Sequence, residues 1–390
     1  MILWQRKRKE EPMLLFHIGS AMVGGALFLP EESGRPKIIF STVVPITLET
    51  DWNTERFLTR VLESLAVVAA KVQKTGLGVP NRIFCVLASP WYVSQTRTIS
   101  LKKNTPFIFT EKIADELIKK EIKLMSDEQL TKYGEGAIRP LELKNIKTLL
   151  NGYDAETPLY QKIKELEMNL FISIGGELVL TKIESAIRKF FHLAEIKFSS
   201  FAIASFTAAR DLNPKLENFL LVDVGGEITD IFLVKKSVLR DSISFPLGRN
   251  FFTRGVASEL GTTVGEANSL ISLFKDGHAE EKVAAKLRAV MDKLQGAWLT
   301  KFQESLANLS NDISIPAAVY LTADSDLADL FTDTIKAEQF SQYTLAESKF
   351  EIIVLNTKLL HNLASFEDQA TRDSFLIIDC VYINRFLLKI

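Results

Sequence analysis

The sequence predicts an α/β chain of at least two lobes with a small α+β module inserted in the first, and three observations predict it. The chain has 390 residues, more than a single hydrophobic core usually serves. Apolar β-type runs at 219–222 and 231–234 flank a turn with two adjacent glycines, and residues 14–28 repeat that design near the start of the chain. Between the two units, from about 90 to 180, the texture changes to strands mixed with a Lys-rich helix.

The second unit is the more informative. In Asp223-Val224-Gly225-Gly226-Glu227-Ile228-Thr229-Asp230, glycines that allow close backbone approach to an anion sit beside carboxylates suited to a hydrated Mg²⁺. A plain hairpin closed by a Gly-Gly turn is the competing reading. The first unit, Leu14-Leu15-Phe16-His17-Ile18-Gly19-Ser20-Ala21-Met22-Val23-Gly24-Gly25-Ala26, has the same pattern. A third element, Ala317–Asp324, reads as a buried strand running into an amphipathic helix over 325–336.

In that order and spacing, the three elements resemble the two phosphate loops and the adenosine loop of the actin-like ATPase superfamily. Within it, Ser244–Ala257, Leu260–Asn268 and Leu149–Tyr153 are similar to segments of the cell-division protein FtsA and the type IV pilus assembly protein PilM. The resemblance implies a two-lobed actin-like fold: first lobe 1–89, inserted subdomain 90–180, return to the first lobe at 181–213, second lobe 214–365 with a helical part at about 263–310, and a C-terminal packing helix at 366–390. It implies ATP with Mg²⁺ as cofactor, bound through Gly19, Ser20, Asp223, Gly225, Gly226, Glu227, Thr229, Asp230, Ala323 and Asp324, with Asp223 and Asp230 toward the metal.

Three departures from the superfamily pattern weaken that site. His17 stands where a carboxylate is usual, and a neutral imidazole is a poor ligand for a hard cation; a protonated His17 touching phosphate and a His17 merely packed at the strand end are both open. Glu227 replaces a third glycine, and Ala323-Asp324 replaces a glycine pair. ATP binding is therefore expected to be weak or vestigial and hydrolysis absent or slow. The implied role is a scaffold or adaptor of a membrane-associated division or pilus machinery, with protein partners and self-association into filaments as the family's habits. An active Mg·ATP-dependent ATPase and a small-molecule kinase are the alternatives, and the second lacks a convincing catalytic base.

Composition narrows the setting. With 47 basic and 48 acidic residues there is no nucleic-acid footprint. Cys85 and Cys380 lie inside apolar runs, which suits buried thiols in a reducing cytoplasm. Neither a secretory signal nor a bilayer-length apolar run is visible, so peripheral contact is the most expected of a membrane. The stub Ile2-Leu3-Trp4 beside Arg6-Lys7-Arg8-Lys9 is the candidate for that contact. FtsA proteins carry a C-terminal membrane helix after a linker; no such segment follows 374–388, which favours the pilus-like arrangement, where a short peptide of a membrane partner is bound.

Elements follow from spacing. Asn53 or Thr54 should cap a helix with Phe57, Val61, Leu65 and Val68 on one face, ending near Gly76. Thr181-x-x-Glu184 and Thr263-x-x-Glu266 have capping-box spacing, and a long helix is expected over 280–308. Residues 374–388 should form a packing helix, although Asp379 and Asn384 interrupt its apolar run.

Overall fold

A computed structural model describes residues 11–78, 80–133, 137–192, 194–309, 314–337 and 349–388. The basic N-terminal stub proposed for membrane contact lies outside the described residues. The chain opens with β1 (Met13–Ile18), β2 (Met22–Leu29), β3 (Lys37–Pro45), α1 (Thr54–Lys74) and β4 (Arg82–Leu87). An insertion follows: β5 (Val93–Ile108), α2 (Glu111–Tyr133), β6 (Ile138–Leu150), β7 (Tyr153–Asp154) and β8 (Lys162–Gly176). The first lobe resumes with α3 (Glu177–Arg188), β9 (Glu195–Ser200) and α4 (Phe201–Leu212). The second lobe holds β10 (Phe219–Val224), β11 (Thr229–Lys235), β12 (Val238–Phe245), α5 (Arg249–Leu260), α6 (Val264–Lys275), α7 (Glu281–Leu309), β13 (Ala318–Ala323), α8 (Ala328–Ala337), β14 (Glu351–Val354) and α9 (Thr357–Leu360). Finally β15 (Ser365–Phe366) and α10 (Ser374–Leu388) return to the first lobe, where β15 pairs with β3.

The repeated glycine units prove to be the visible part of a repeated sheet. The first lobe orders its strands β15-β3-β2-β1-β4-β9 and the second β12-β11-β10-β13-β14. Leaving out β15, each is an antiparallel three-strand meander continued by two parallel strands. The central strands β1 and β10 carry buried side chains on both faces, which is why they read as apolar runs rather than alternating ones. Their C-terminal ends deliver the two glycine turns to the junction of the lobes.

Local signals explain most helix starts. Asn53 caps α1 by accepting from the Arg56 N–H, and the Thr263–Glu266 capping box opens α6. The box expected at Thr181 is not formed. β8 runs directly into α3, which begins at Glu177 behind Gly176, and Thr181 instead donates its hydroxyl to Glu177 while Glu184 pairs with Arg139. In the insertion, β5 and β8 pair along almost their whole length, with a break between Lys102 and Phe107.

Two polar residues that seemed to interrupt the last helix are its docking points. On α10, Asp379 reaches His17 of β1 at 2.8 Å, and Asn384 accepts from the Glu31 N–H at 2.8 Å while donating to the Glu31 carbonyl at 3.1 Å. The apolar residues between them pack on α4, β1 and β2. The inserted sheet is fastened by one carboxylate. Glu142 of β6 accepts from the Ser200 N–H at 2.8 Å, Ser200 Oγ at 2.5 Å, Tyr382 Oη at 2.9 Å, Ser173 Oγ at 3.1 Å and Ser199 Oγ, so it joins β6, β8, β9 and α10 while capping α4.

Candidate functional site

The two glycine turns meet at the junction of the lobes. In the first, the Gly19 N–H donates to Met22 O at 3.1 Å, and Trp91 Nε1 donates to Gly19 O at 2.9 Å. In the second, the Gly225 N–H donates to Ile228 O at 2.9 Å. Gly226 lies directly on the first turn: a Cβ there would stand 2.4 Å from the carbonyl carbon of Ser20 and 2.5 Å from the Ala21 nitrogen. Buried Ser20 accepts from the Glu227 N–H through Oγ at 3.1 Å. The glycine of the second turn thus admits protein backbone rather than leaving a gap for an anion.

From behind, the start of α5 grips the second turn. The N–H groups of Gly248, Arg249 and Asn250 donate to Glu227 O, Gly225 O and Gly226 O at 3.1, 2.9 and 2.8 Å. A helix N-terminus is a natural anion site, but these donors are engaged by the chain's own carbonyls. Glu227 faces the same helix, held by Arg254 through both oxygens at 2.7 and 2.9 Å and by Asn250 Nδ2 at 2.7 Å. Its charge is balanced there, not set against a phosphate. Arg254 also donates to Glu49 O of the first lobe at 2.9 Å, so this cluster ties the lobes together.

The expected metal carboxylates are close together and enclosed. Asp223 and Asp230 are direct cross-strand partners, and both are buried. Asp223 accepts from Thr322 Oγ1 at 2.6 Å and Asp230 from Ser244 Oγ at 2.5 Å. Burial, and next the neighbouring Asp230, push Asp223 up to about 7, although Thr322 and His17 act in the opposite direction. Burial raises Asp230 too, against its hydroxyl partners. Thr229 is turned to the second core, donating to Leu247 O at 2.8 Å and accepting from Trp298 Nε1 at 3.1 Å. Ala323 is buried in that core, while Asp324 lies at the lip of the junction with Arg249 Nε at 3.4 Å; burial lifts Asp324 to about 6 against the pull of Arg249. Arg249 also meets Asp326 at 2.6 Å, beside a cleft of about 270 Å³.

His17 occupies the first-turn position where a metal-binding carboxylate was expected, and its partner is Asp379, far away in sequence. The ring sits between Phe201 and Phe375, each 5.3 Å away. Burial opposes its protonation, but Asp379, with Asp373 and Asp223 farther off, outweighs burial and holds it above the ordinary histidine range. No group of three His, Cys, Asp or Glu side chains able to hold a metal ion occurs among the described residues. Sequence reasoning missed Asp379, Arg254, Asn250 and Arg249. A buried histidine in one apolar run and a lone aspartate in another were the available signal for the first pair.

A second feature lies between the inserted sheet and the first lobe. β9 ends the first sheet, and most of β6 ends the inserted one, since β7 covers only Leu149 and Leu150. Between these edges and the last turns of α10 runs a groove of about 330 Å³, with Leu141, Leu143, Ile196, Phe198 and Phe386 among its walls. β6 has two irregularities, between Pro140 and Glu142 and between Asn145 and Lys147, which leave Leu141 and Ile146 without cross-strand partners.

No family model matches the sequence, and no curated protein matches it. Among solved structures, a chain of the PilM–PilN type IV pilus biogenesis complex is 13% identical, covering 97% of this chain and 98% of that one with a TM-score of 0.60. The chain has an actin-like ATPase fold. The ethanolamine utilization protein EutJ from Carboxydothermus hydrogenoformans is 11% identical, with coverages of 87% and 83% and a TM-score of 0.43. A Bacteroides thetaiotaomicron protein with an actin-like ATPase fold and unknown function is 9% identical, with coverages of 93% and 98% and a TM-score of 0.42. ATP with Mg²⁺ is the group that the sequence resemblance implies. The residues here do not fit that group: the turn and helix donors are engaged, the turns touch, and the first-turn carboxylate is a histidine already paired.

The buried charges govern stability in two ways. Removing one partner of a buried ion pair costs about 3–5 kcal/mol, whereas replacing both with apolar residues is often neutral; His17→Leu should therefore destabilise strongly, and His17→Leu combined with Asp379→Leu should recover most of the loss in urea unfolding. The second concerns pH. Between about 4, the ordinary carboxylate value, and about 7, folded Asp223 keeps a proton that the unfolded chain has released, so stability falls as pH rises across this range. His17, also raised, acts in the same sense, its contribution being lost as pH climbs through its folded value. Unfolding free energies should decline from about pH 5 to about pH 8, and Asp223→Asn should flatten that decline; a profile left unchanged by the substitution would count against the assignment.

Proposed function

We propose that this chain is a binding scaffold of the pilus-assembly type, working at the inner face of a membrane, and that it receives an extended segment of a protein partner in the groove between β6, β9 and α10. The observation that carries this reading is the pairing of two sheet edges with an apolar floor. An extended peptide can add to an exposed edge through main-chain hydrogen bonds while apolar pockets read alternate side chains. The groove volume of about 330 Å³ suits a few such side chains. PilM occurs with PilN in a pilus biogenesis complex, and a short partner peptide is the analogous ligand for this chain.

ATP has no catalytic part in this proposal. The expected nucleotide residues Gly19, Ser20, Asp223, Gly225, Gly226, Glu227 and Asp230 serve as the clasp between the lobes, with Thr229, Ala323 and Asp324 supporting the second lobe beside it. A closed clasp keeps the first lobe, and hence the groove, in one shape without a nucleotide. Neither division nor filament formation is needed by the groove. Among the described residues no helix is long and apolar enough to cross a membrane, so attachment through a membrane-borne partner is the simplest route to a membrane-side location.

Selection from a displayed library of random dodecapeptides tests this reading. The wild-type protein should enrich extended sequences with apolar residues at alternate positions, and Phe198→Arg, which changes a partly exposed groove wall, should lose them while unfolding at an unchanged midpoint. Enrichment that is equal on the wild type and on Phe198→Arg would remove the groove from consideration.

A further inference from the structure

The inserted sheet touches both lobes, and its central strand β8 passes from one to the other. On one face Met168, Leu170, Ile172 and Ile174 build the insertion's own core with α2. On the opposite face Ser173 donates to Glu142, Phe171 is buried in the first-lobe core, and Asn169, also fully buried, meets the second lobe. The Asn169 Oδ1 accepts from Thr98 Oγ1, its cross-strand neighbour on β5, and from Arg240 Nη1 of β12, each at 3.0 Å. Its Nδ2 donates to Glu167 Oε1 at 3.2 Å. Arg240 is placed for this contact by its own strand. In the β11–β12 ladder Leu233 pairs with Asp241 and Val234 with Leu239, so Arg240 is the extra residue of a β-bulge, a device that re-aims a side chain. The hairpin that carries it turns tightly at Lys236 and Ser237, both at positive φ. β12 is an edge of the second-lobe sheet and β5 an edge of the inserted one, and these two edges meet, with β12 also reaching β6.

We infer that the insertion is a strut between the lobes, and that Arg240 is the positioning residue through which the second lobe sets the width of the groove. A guanidinium N–H on a buried amide oxygen is a charge-assisted, directional contact, and removing either partner leaves the other underbonded in a site closed to water. One wall of the groove, β6, pairs with β8 along most of its length, so a change in how β8 sits on the second lobe shifts that wall against β9, which belongs to the first-lobe sheet. The root of the insertion adds a second link, since Trp91 Nε1 donates to Gly19 O of the first glycine turn at 2.9 Å. The strut stands on these contacts alone; its effect on partner binding rests on the groove reading above. A segment in the groove then favours the arrangement in which Arg240 meets Asn169, and that contact favours the segment to the same extent.

Spin labels on Tyr153→Cys of the insertion and Leu273→Cys of the second lobe, both exposed positions of the full chain, report the strut by pulsed electron spin resonance; the native Cys85 and Cys380 are buried and stay unlabelled. The otherwise wild-type protein should give one narrow distance distribution. Arg240→Met, and from the other side Asn169→Leu, should broaden it, and Arg240→Lys should broaden it less. A pair within the first lobe, Leu77→Cys with Leu178→Cys, should stay narrow in every variant. Distributions unchanged by both Arg240→Met and Asn169→Leu would overturn the strut, and so would equal broadening of the first-lobe pair. A dodecapeptide enriched by the selection above should bind Arg240→Met about tenfold more weakly than wild type, within the usual range of coupling between sites, and should narrow the broadened distribution. Broadening with peptide affinity unchanged would overturn control of the groove by the second lobe. No enriched peptide on the wild type would remove the groove, and the distances would still decide the strut.

Discussion

The arrangement of the molecule depends on a contact between two pieces of backbone, Gly226 on the Ser20-Ala21 turn. Each turn ends the central strand of its own sheet, so their meeting fixes how the two repeated halves face one another. The contact is reinforced from three directions. Ser20 Oγ takes the Glu227 N–H, the start of α5 takes three carbonyls of the second turn, and Glu227 with Arg254 reaches Glu49 in the first lobe. Any side chain at Gly226 or Gly248 would drive backbone atoms apart, because a Cβ on Gly248 would lie 2.4 Å from Gly225 O. Here glycine serves protein packing, the same property that in a nucleotide site serves approach to phosphate.

Electrostatics at the junction follow from that closure. Once the turns touch, the carboxylates behind them are shut away from water, and an enclosed carboxylate is neutralised, paired or bonded. Each outcome is present: Asp223 moves up to about 7, Asp379 pairs with His17, and Asp230 takes the Ser244 hydroxyl. His17, held above the ordinary histidine range, faces Asp379 there, and it anchors α10 and through it a wall of the groove between β6, β9 and α10. In this way the junction and the groove are mechanically connected: α10 carries Asp379 toward one and Tyr382 and Phe386 toward the other.

Much of the fold was legible because the two glycine turns are local patterns and their repetition is visible along the chain. The same holds for α1 and α6, whose caps and apolar faces are set by neighbours three and four residues away. What the turns do was not legible. Phosphate binding and backbone contact require the same glycines, and only the position of Ser20 relative to Gly226 separates them. Asp379 and Asn384 looked like flaws in an apolar helix because their partners, His17 and Glu31, lie more than 350 residues away. The Thr181 box failed for a related reason: continuity from β8 into α3 overrode a local capping signal. Glu142, which fastens the insertion, carried no motif, since its partners come from three separate elements, β8, β9 and α10.

Closure of this actin-like junction by its own residues is tested by equilibrium binding of a fluorescent ATP analogue with Mg²⁺ to the wild-type protein and to Ser20→Ala. The closed clasp predicts no saturable binding to the wild type up to about 1 mM, weaker than about −4 kcal/mol, and no thermal stabilisation by Mg·ATP. Saturable micromolar binding that Asp223→Ala abolishes would contradict it, because nucleotide would then enter where the two turns are seen to touch.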